Sequence, residues 1–484
     1  MQIPELVAEF LQFLPRASVL SETEELKPYE CDGLTAYRRL PSAVLLPESE
    51  SDVRRILRVC HRARIPVVAR GAGTGLSGGA LPIENGIVLS LAKFKNILAI
   101  DPLARTAVVQ PGVRNLAISD AAARYGLYYA PDPSSQIACT IGGNVAENSG
   151  GVHCLKYGLT VHNVLKLKVI TIDGELLEIG SEGLDSAGYD LLALMHGSEG
   201  MLGVISEITV KLLPEPEHAQ VIMAAFASVE DAGNAVAEII AAGIIPAGLE
   251  MMDKKATHAV EQFVRAGYPL DAEAILLAES DGTLAEVAAE TEKMRGIMEK
   301  WRASSTCVSH DEAERLKLWS GRKAAFPAVG RILPDYYCMD GTIPRKNLAS
   351  VLSRIYALSE EFGLMCANVF HAGDGNLHPL ILFDANVPGQ TERVEEFGAK
   401  ILEACIAAGG TITGEHGVGV EKINQMCVQF KPAEIAAFHA VKNAFDKHAL
   451  LNPGKGIPSL RRCAEFGAMH VSRGQDKFPD LPRF

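Results

Sequence analysis

Three segments built almost entirely from small residues constrain this chain more than any other feature. Residues 70–79 read Arg-Gly-Ala-Gly-Thr-Gly-Leu-Ser-Gly-Gly and follow a predicted short strand at 65–69. The other two segments span residues 140–151 and 197–205. Glycine has no side chain and tolerates positive φ, so such segments let backbone N–H groups approach an anion closely. They are therefore either loops that surround an anionic ligand or Gly-rich turns without one.

The first segment also contains the pattern G-x-G-x-x-G, at Gly73–Gly78. That pattern is typical of a dinucleotide-binding fold only when a helix begins within it. Here Gly79, Pro82 and Gly86 follow at once and prevent a regular helix. A nicotinamide-type site is therefore excluded, while a pyrophosphate-binding loop of another kind is still possible.

Composition bounds the class of protein. The chain has 484 residues, 48% hydrophobic and 22% charged, which is typical of a globular protein with two or three domains. Its net charge of −13 disfavours a broad nucleic-acid-binding face. No two of the ten cysteines are three residues apart, which disfavours a zinc ribbon or a ferredoxin-type cluster. Scattered cysteines, without a targeting or membrane-spanning segment, predict reduced thiols in a cytoplasmic protein.

The chain divides into three predicted parts. Residues 1–215 are rich in short strands and turns. Residues 216–410 alternate strands with helices, which predicts an α+β domain whose helices cover one face of an antiparallel sheet. Residues 411–484 are Gly-rich and then helical. The predicted fold class is thus α+β.

Two local patterns in the first part predict specific elements. Apolar residues at helical spacing predict a helix over 51–64, with Ser51 as its N-cap. The Asp173-Gly174 pair lies between two β-rich runs and predicts a hairpin over 164–179 with a type I′ turn.

In order and spacing, the three small-residue segments resemble the flavin domain of the vanillyl-alcohol oxidase / p-cresol methylhydroxylase (PCMH) superfamily, over residues 38–215. The resemblance implies a PCMH-type FAD-binding domain, followed by a substrate (cap) domain and a C-terminal helical segment that returns to the flavin. Residues 74–78 contain no His that could tether the cofactor, so non-covalent FAD is expected. The implied cofactor-binding residues are Arg70, Gly71, Ala72, Gly73, Thr74, Gly75, Leu76, Ser77, Gly78, Pro131, Asp132, Ser134, Thr140, Gly142, Gly143, Asn144, Ala146, Asn148, Gly150, Gly200, Gly203, Val204, Ile205 and Asn452.

A second hairpin pattern predicts a metal site. The Asp374-Gly375 pair predicts a two-residue turn, which places His371 directly opposite His378 on one face. Two adjacent imidazoles can hold a metal and leave room for a carboxylate and a substrate. Glu415 is the candidate carboxylate, and the adjacent His416 could serve as the base. The alternative is a hydrogen-bonded pair of structural histidines.

The motifs His-x-Gly-Asp-Gly-Asn-x-His at 371–378 and Gly-Glu-His-Gly-x-Gly at 414–419 resemble the FAD-linked D-2-hydroxy acid dehydrogenases. This group includes enzymes of D-lactate, D-2-hydroxyglutarate and glycolate. The resemblance implies that His371, His378 and Glu415 bind a divalent metal, either zinc, manganese or iron. It also implies that His416 is the catalytic base.

Nearly the whole chain is similar to the FAD-binding subunits of bacterial glycolate oxidases, through Trp319–Lys323, Asp335–Pro344 and Arg462–His470. This similarity implies that Arg322 binds the substrate carboxylate, for which its bidentate fork is suited. From the residues alone, a surface salt bridge of Arg322 is the alternative.

Departures from the family pattern bear on the substrate. The 2-hydroxyglutarate members reach the distal carboxylate with a Lys and an Asn, where this chain has Cys338 and Leu380. A dicarboxylate would then leave an unpaired charge in the pocket. A small monocarboxylate, glycolate or D-lactate, is therefore expected.

The implied reaction is oxidation of glycolate or D-lactate to the 2-oxo acid, with metal-assisted removal of the hydroxyl proton by His416 and hydride transfer to flavin N5. Electrons would pass to FAD-binding and iron–sulfur partner subunits of a glycolate oxidase complex, or to the quinone pool. The chain would then be cytoplasmic and peripheral to the inner membrane through those subunits. Three alternatives stay open: a D-2-hydroxy acid dehydrogenase acting alone, a flavin-carrying electron-transfer subunit inactive by itself, and a metal hydrolase.

Overall fold

The N-terminal half of the chain holds two larger sheets. The computed structural model describes residues 3–183 and 187–459, so the motif at Arg462–His470 lies outside the described residues. The strands of this half are Val19–Leu20 (β1), Ala43–Leu45 (β2), Val67–Arg70 (β3), Ile87–Ser90 (β4), Ile97–Asp101 (β5), Thr106–Val109 (β6), Leu127–Tyr128 (β7), Val164–Ile170 (β8), Leu176–Gly180 (β9), Val204–Lys211 (β10) and Leu213–Pro214 (β11). Its helices are Ile3–Phe10 (α1), Thr23–Leu26 (α2), Glu50–Ala63 (α3), Asn115–Ala122 (α4), Ile141–Glu147 (α5), Cys154–Tyr157 (α6), Thr160–Asn163 (α7) and Leu191–Met195 (α8).

The two sheets of this half differ in direction. The first has the order β1-β2-β4-β3, with β2, β4 and β3 parallel and β1 antiparallel at its edge. The second is antiparallel with the order β5-β6-β10-β8-β9. Strands β7 and β11 form a separate two-stranded ribbon. The first small-residue segment begins at the end of β3, and the third ends in β10.

Helix α3 shows how the local sequence sets an element. Ser49, rather than the predicted Ser51, is its N-cap, because a capping box needs a carboxylate three residues later and Asp52 supplies it. Such a cap stabilises a helix by about 1 kcal/mol. The helix buries Ile56 and Leu57 against strands β2 to β4, and Arg64 ends it in the left-handed conformation.

The predicted hairpin at 164–179 is present as β8 and β9, but its turn differs from the prediction. Ile170 pairs with Leu176, so the connection is longer than two residues. Gly174 has φ 81°, whereas Asp173 is not among the residues with positive φ. A type I′ turn requires positive φ at both central residues, so that prediction is wrong.

The C-terminal half forms one seven-stranded antiparallel sheet. Its strands are His218–Phe226 (β12), Gly248–Asp253 (β13), Ala274–Gly282 (β14), Ala303–Val308 (β15), Asp335–Cys338 (β16), Cys366–His371 (β17) and Asn376–Phe383 (β18), in the order β15-β12-β14-β13-β17-β18-β16. Its helices are Val229–Ala241 (α9), Lys254–Val264 (α10), Leu284–Lys300 (α11), Glu312–Lys323 (α12), Ala325–Val329 (α13), Leu348–Phe362 (α14), Gln390–Ala407 (α15), Ile423–Gln429 (α16) and Pro432–Phe445 (α17).

Helices cover both faces of this sheet, so the expectation of one covered face is wrong. Residues such as Ile222 and Leu276 pack under α9, α11, α14 and α15, while Val221 and Leu277 pack under α10, α12 and α13. Strands buried on both faces carry continuous apolar runs instead of alternating ones. The sequence of β14 begins with such a run, at Ala274–Ala278, and its first eight residues are buried.

The segment after residue 410 returns to the N-terminal half, as the family resemblance implied. Asn452 donates through Nδ2 to the carbonyl oxygens of Gly79 (2.9 Å) and Glu199 (2.7 Å). Lys442 donates to the carbonyl oxygen of Met201 at 2.6 Å. The C-terminal segment therefore holds the first and third small-residue segments in place.

Two further predictions concern the cysteines and the absence of a membrane-spanning segment. Eight of the cysteines in the described ranges are free thiols. Within residues 3–183 and 187–459, no helix combines the length and apolar character needed to cross a membrane.

Candidate active site

The three small-residue segments meet at one cavity of about 380 Å³. The predicted cofactor-binding residues that line it are residues 70–76, Ser134, Thr140, Gly142, Gly143, Asn144, Ala146, Gly200, Gly203 and Ile205. The opposite wall comes from the C-terminal half and includes Arg322, Phe326, Tyr336, His378, Glu415 and His416. The cavity thus joins the loops of one half to the candidate catalytic residues of the other.

The remaining predicted cofactor residues do not line this cavity. Several of them support it: Ser77 O accepts from the backbone N–H of Val420 at 3.0 Å, and Asp132 accepts from His153 at 2.8 Å. The predicted cofactor residues outside the lining are Ser77, Gly78, Pro131, Asp132, Asn148, Gly150, Val204 and Asn452.

The small residues of the loops are needed because the chain packs closely there. A Cβ atom on Gly142 would lie 2.6 Å from Pro111 Cβ, and one on Gly73, which has φ 72°, would overlap the Arg70 guanidinium. Thr140 Oγ1 is buried without a hydrogen-bond partner among the described residues, although Thr140 lines the cavity. A cavity walled by glycine backbone, with a free hydroxyl, fits a nucleotide cofactor such as FAD.

The two candidate metal-binding histidines lie on the hairpin β17–β18, in a register different from the predicted one. His371 pairs with Asn376, and His378 pairs with Val369. The turn therefore has four residues, because Asp374 accepts the backbone N–H of Asn376 at 2.9 Å in a local turn of its own. A slip of two residues keeps both imidazoles on one face, and their ring centroids are 5.0 Å apart.

Glu415 completes a group of three possible metal ligands. Its Oε1 lies 3.3 Å from His371 Nε2 and 3.0 Å from His378 Nε2. All three ligand atoms lie within 4.8 Å of one another. Its other oxygen, Oε2, accepts the backbone N–H of Gly150 at 3.0 Å, which ties the group to the second small-residue segment. Two nitrogen ligands and one oxygen ligand fit a divalent transition metal with an open position.

His416 lies beside this group, with its ring stacked on that of His378 at a centroid distance of 4.9 Å. Adjacent side chains in an extended segment would point to opposite faces. The segment turns here instead, because Asp340 accepts the backbone N–H groups of Gly414, Glu415 and His416. Both side chains therefore reach one site.

Electrostatics assign different protonation states to these side chains. Burial alone would lower the pKa of His371, but Glu250 and Glu415 raise it well above its usual value. Burial alone would raise the pKa of Glu415, but His371 and His378 hold it well below its usual range. Burial lowers the pKa of His416 to about 4, so its imidazole is neutral near pH 7. Its Nδ1 is buried without a partner among the described residues, and the ring is available as a base.

Arg322 lies on α12 and is 2% exposed, which excludes the surface salt bridge considered from the sequence. Its Nε donates to Glu250 Oε2 at 2.6 Å. Because Arg322 also lines the cavity, its terminal nitrogens can meet an anionic group there.

The two positions linked to substrate choice lie deeper than expected. Cys338 and Leu380 pair across β16 and β18, and both are buried in the core beside the cavity without lining it. Cys338 Sγ is 3.8 Å from His378 Nδ1. Any effect of these residues on the substrate would therefore pass through His378 or through cavity shape.

Sequence reasoning missed three buried carboxylates that organise the site. Glu250 contacts both His371 and Arg322, Asp340 holds the segment around Glu415, and Glu199 accepts the backbone N–H of Val418 at 2.7 Å. A lone acidic residue inside an apolar strand was the available signal for Glu250, in Leu-Glu-Met-Met at 249–252.

Comparison with known proteins agrees with this architecture. Residues 41–180 match the family model described as "FAD binding domain", and residues 215–456 match "FAD linked oxidases, C-terminal domain". The crystal structure of p-cresol methylhydroxylase with substrate bound superposes with a TM-score of 0.79 at 16% identity, covering 95% of this chain and 97% of that one. This likeness confirms the predicted PCMH-type fold.

Two curated relatives are similar over nearly their full length. Glycolate oxidase subunit GlcD of Escherichia coli (strain K12) is 64% identical over 473 residues, which cover 98% of this chain and 95% of that protein. A D-lactate dehydrogenase of Archaeoglobus fulgidus is 34% identical over 426 residues, covering 86% of this chain and 91% of that protein.

Proposed function

The chain belongs to the family of FAD-linked oxidases, and on that premise we propose that it oxidises glycolate and D-lactate to their 2-oxo acids with the help of a divalent metal. It is an FAD-dependent hydroxy acid oxidase or dehydrogenase. One observation supports the finer proposal: a single cavity is lined by the small-residue loops, by Arg322 and by His378, Glu415 and His416.

Each side chain has a distinct part in the proposed reaction. Arg322 binds the substrate carboxylate through its terminal nitrogens, while its Nε is held by Glu250. His371, His378 and Glu415 would hold the metal, which would supply the Lewis acidity that lowers the pKa of the substrate hydroxyl. His416, neutral near pH 7, accepts the hydroxyl proton. Bound FAD supplies the oxidation by accepting two electrons and the C2 hydrogen as hydride.

A small monocarboxylate is the proposed substrate class. In the described cavity lining, Arg322, Lys323 and Arg70 are the cationic side chains, and Arg70 lies in the cofactor loop. The residues implied to set a second carboxylate site in dicarboxylate enzymes are replaced by Cys338 and Leu380, which offer no charge.

We also propose that the electrons leave through partner subunits. The E. coli relative is named as a subunit of glycolate oxidase. The sequence lacks the C-x-x-C spacing common in iron–sulfur sites. FAD-binding and iron–sulfur subunits, or the quinone pool, would then take the electrons from the reduced flavin.

The test is anaerobic titration of the purified flavoprotein with a panel of 2-hydroxy acids, followed by the flavin absorbance. Glycolate and D-lactate are expected to bleach the flavin, whereas D-2-hydroxyglutarate should bleach it at least about tenfold more slowly because its second carboxylate is unpaired. Bleaching by no 2-hydroxy acid would contradict the proposal and favour an electron-transfer subunit that is inactive alone.

A further inference from the structure

Glu250 lies between the two parts of the proposed active site. It is 1% exposed and sits on β13, in the middle of the seven-stranded sheet. Its Oε1 is 2.6 Å from His371 Nδ1, and its Oε2 is 2.6 Å from Arg322 Nε. One carboxylate therefore contacts a proposed metal ligand and the proposed substrate-binding residue at once.

The sheet register brings Glu250 to this position. Met251 pairs with Phe370 across β13 and β17, so the next pair along the ladder sets Glu250 opposite His371. Arg322 approaches from α12, which packs on the same face of the sheet. A carboxylate buried in an apolar strand is stable only when both oxygens are paired, and these two donors pair them.

We propose that Glu250 is a positioning residue that couples metal binding to substrate binding. By accepting the Nδ1–H of His371, it fixes the tautomer whose Nε2 lone pair faces Glu415 and the metal position. By accepting the Nε–H of Arg322, it fixes the plane of the guanidinium that lines the cavity. This role rests on the proposed function, because it assigns a task to the same site.

A neighbouring residue provides a matched control. Glu279, on the adjacent strand β14, also joins a histidine to an arginine: its Oε1 is 3.3 Å from His153, and its Oε2 is 2.8 Å from Arg315. It is 3% exposed, and it does not line the cavity. Glu250 and Glu279 are thus both buried carboxylates on one sheet, and each pairs with a histidine and an arginine. Glu250 contacts residues of the proposed active site, whereas His153 and Arg315 lie outside the cavity lining.

The experiment compares Glu250→Gln and Glu279→Gln with the wild-type flavoprotein. An amide offers one acceptor and one donor group, so the Glu250→Gln side chain cannot accept from both His371 and Arg322. In Glu250→Gln we expect the affinity for Zn²⁺, measured by chelator competition, to fall about 10–100-fold. We also expect KM for glycolate to rise about tenfold or more, with FAD content retained. In Glu279→Gln, both the Zn²⁺ affinity and KM should stay within about twofold of wild type.

Defined outcomes would overturn the proposal. If Glu250→Gln lowers the melting temperature but leaves both Zn²⁺ affinity and KM unchanged, Glu250 is merely structural. A change in only one of the two quantities would contradict the coupling. If Glu250→Gln does not yield folded protein, Glu250→Asp gives the same comparison, because it keeps the charge and withdraws it by one methylene group.

Failure of the proposed function gives a different result. A wild-type protein that holds Zn²⁺ but oxidises no 2-hydroxy acid would contradict the proposed function alone. In that case the loss of Zn²⁺ affinity in Glu250→Gln would still support the contact to His371, and an unchanged affinity would overturn it.

Discussion

At the residue scale, the surroundings of His371 and His416 shift the pKa values of the two histidines in opposite directions. His371 lies between Glu250 and Glu415, and these carboxylates raise its pKa well above the usual value. His416 has no carboxylate within hydrogen-bonding distance among the described residues, since Glu415 Oε1 is 3.9 Å from its Nε2, and burial lowers its pKa to about 4. In the proposed reaction, metal binding would displace the Nε2 proton of His371, whereas His416 is already neutral near pH 7.

Replacing His416 tests the base. In His416→Ala we expect kcat for glycolate to fall by about 10²–10⁴-fold, which is the usual contribution of a positioned general base. FAD content should be retained, because the cofactor loops lie on the other wall of the cavity. Steady-state kinetics and the flavin absorbance measure the two quantities.

The control for this variant is His310→Ala, at an exposed position outside the cavity lining. Its kcat should equal that of the wild type. Near-normal turnover in His416→Ala would contradict the assignment of the base.

At the element scale, the loops tolerate only small residues for steric reasons. In Gly142→Ala, the new Cβ would lie 2.6 Å from Pro111 Cβ and 3.0 Å from the Pro111 carbonyl oxygen. The Gly142 backbone N–H is itself bonded to that carbonyl, so neither atom can move freely. We expect a loss of about 1–3 kcal/mol in unfolding free energy, with weaker FAD binding, measured by denaturation and by cofactor titration.

A second glycine gives the opposite expectation. Gly296 lies within α11, and an added Cβ there meets no atom within 4 Å. Gly296→Ala should therefore stabilise the protein by about 0.5–1 kcal/mol, because alanine loses less backbone entropy in a helix. Equal effects of the two substitutions would contradict the packing argument.

Elements set by local signals were predictable, and those set by packing were less so. The helix at 50–63 and the strands β8 and β9 follow from periodicity and turn residues. The register of β17 and β18 does not, because Asp374 makes a local hydrogen bond that lengthens the turn. The histidines still meet, since a two-residue slip preserves the face of each side chain.

The candidate site was predictable where a motif carries the residues. His371, His378, Glu415 and His416 come together as the motifs indicated. Glu250 was not predictable, because its partners lie far apart in sequence and only the sheet register joins them. Long-range pairing of this kind leaves no local trace beyond one charge in an apolar strand.

At the scale of the whole molecule, buried polar contacts join the two halves of the chain. His153 Nδ1 lies 2.8 Å from Asp132, and its Nε2 lies 3.3 Å from Glu279 on β14. Burial alone would lower the pKa of His153, but these two carboxylates raise it well above its usual range. The protonated imidazole therefore links a loop at the cavity edge to the seven-stranded sheet.

This link predicts a pH dependence of stability. Because the pKa of His153 is higher in the folded than in the unfolded chain, its stabilisation is complete below about pH 6.5 and is lost as pH rises through the folded pKa. At low pH, the unfolding free energy of the wild type should exceed that of His153→Gln by about 2 kcal/mol. The gap should shrink as pH rises, in melting curves recorded from about pH 6 to about pH 9. A gap that is constant with pH would contradict the charged link.

The central claim is that one cavity unites an FAD-binding half with a metal-dependent catalytic half. The most direct measurement is the rate of anaerobic flavin bleaching by glycolate in the same flavoprotein before chelation, after chelation and after reloading with Zn²⁺, Mn²⁺ or Fe²⁺. We predict that chelated protein keeps its FAD but bleaches at least about 10²-fold more slowly, and that one of these metals restores the rate. Equally fast bleaching by the metal-free protein would contradict the claim.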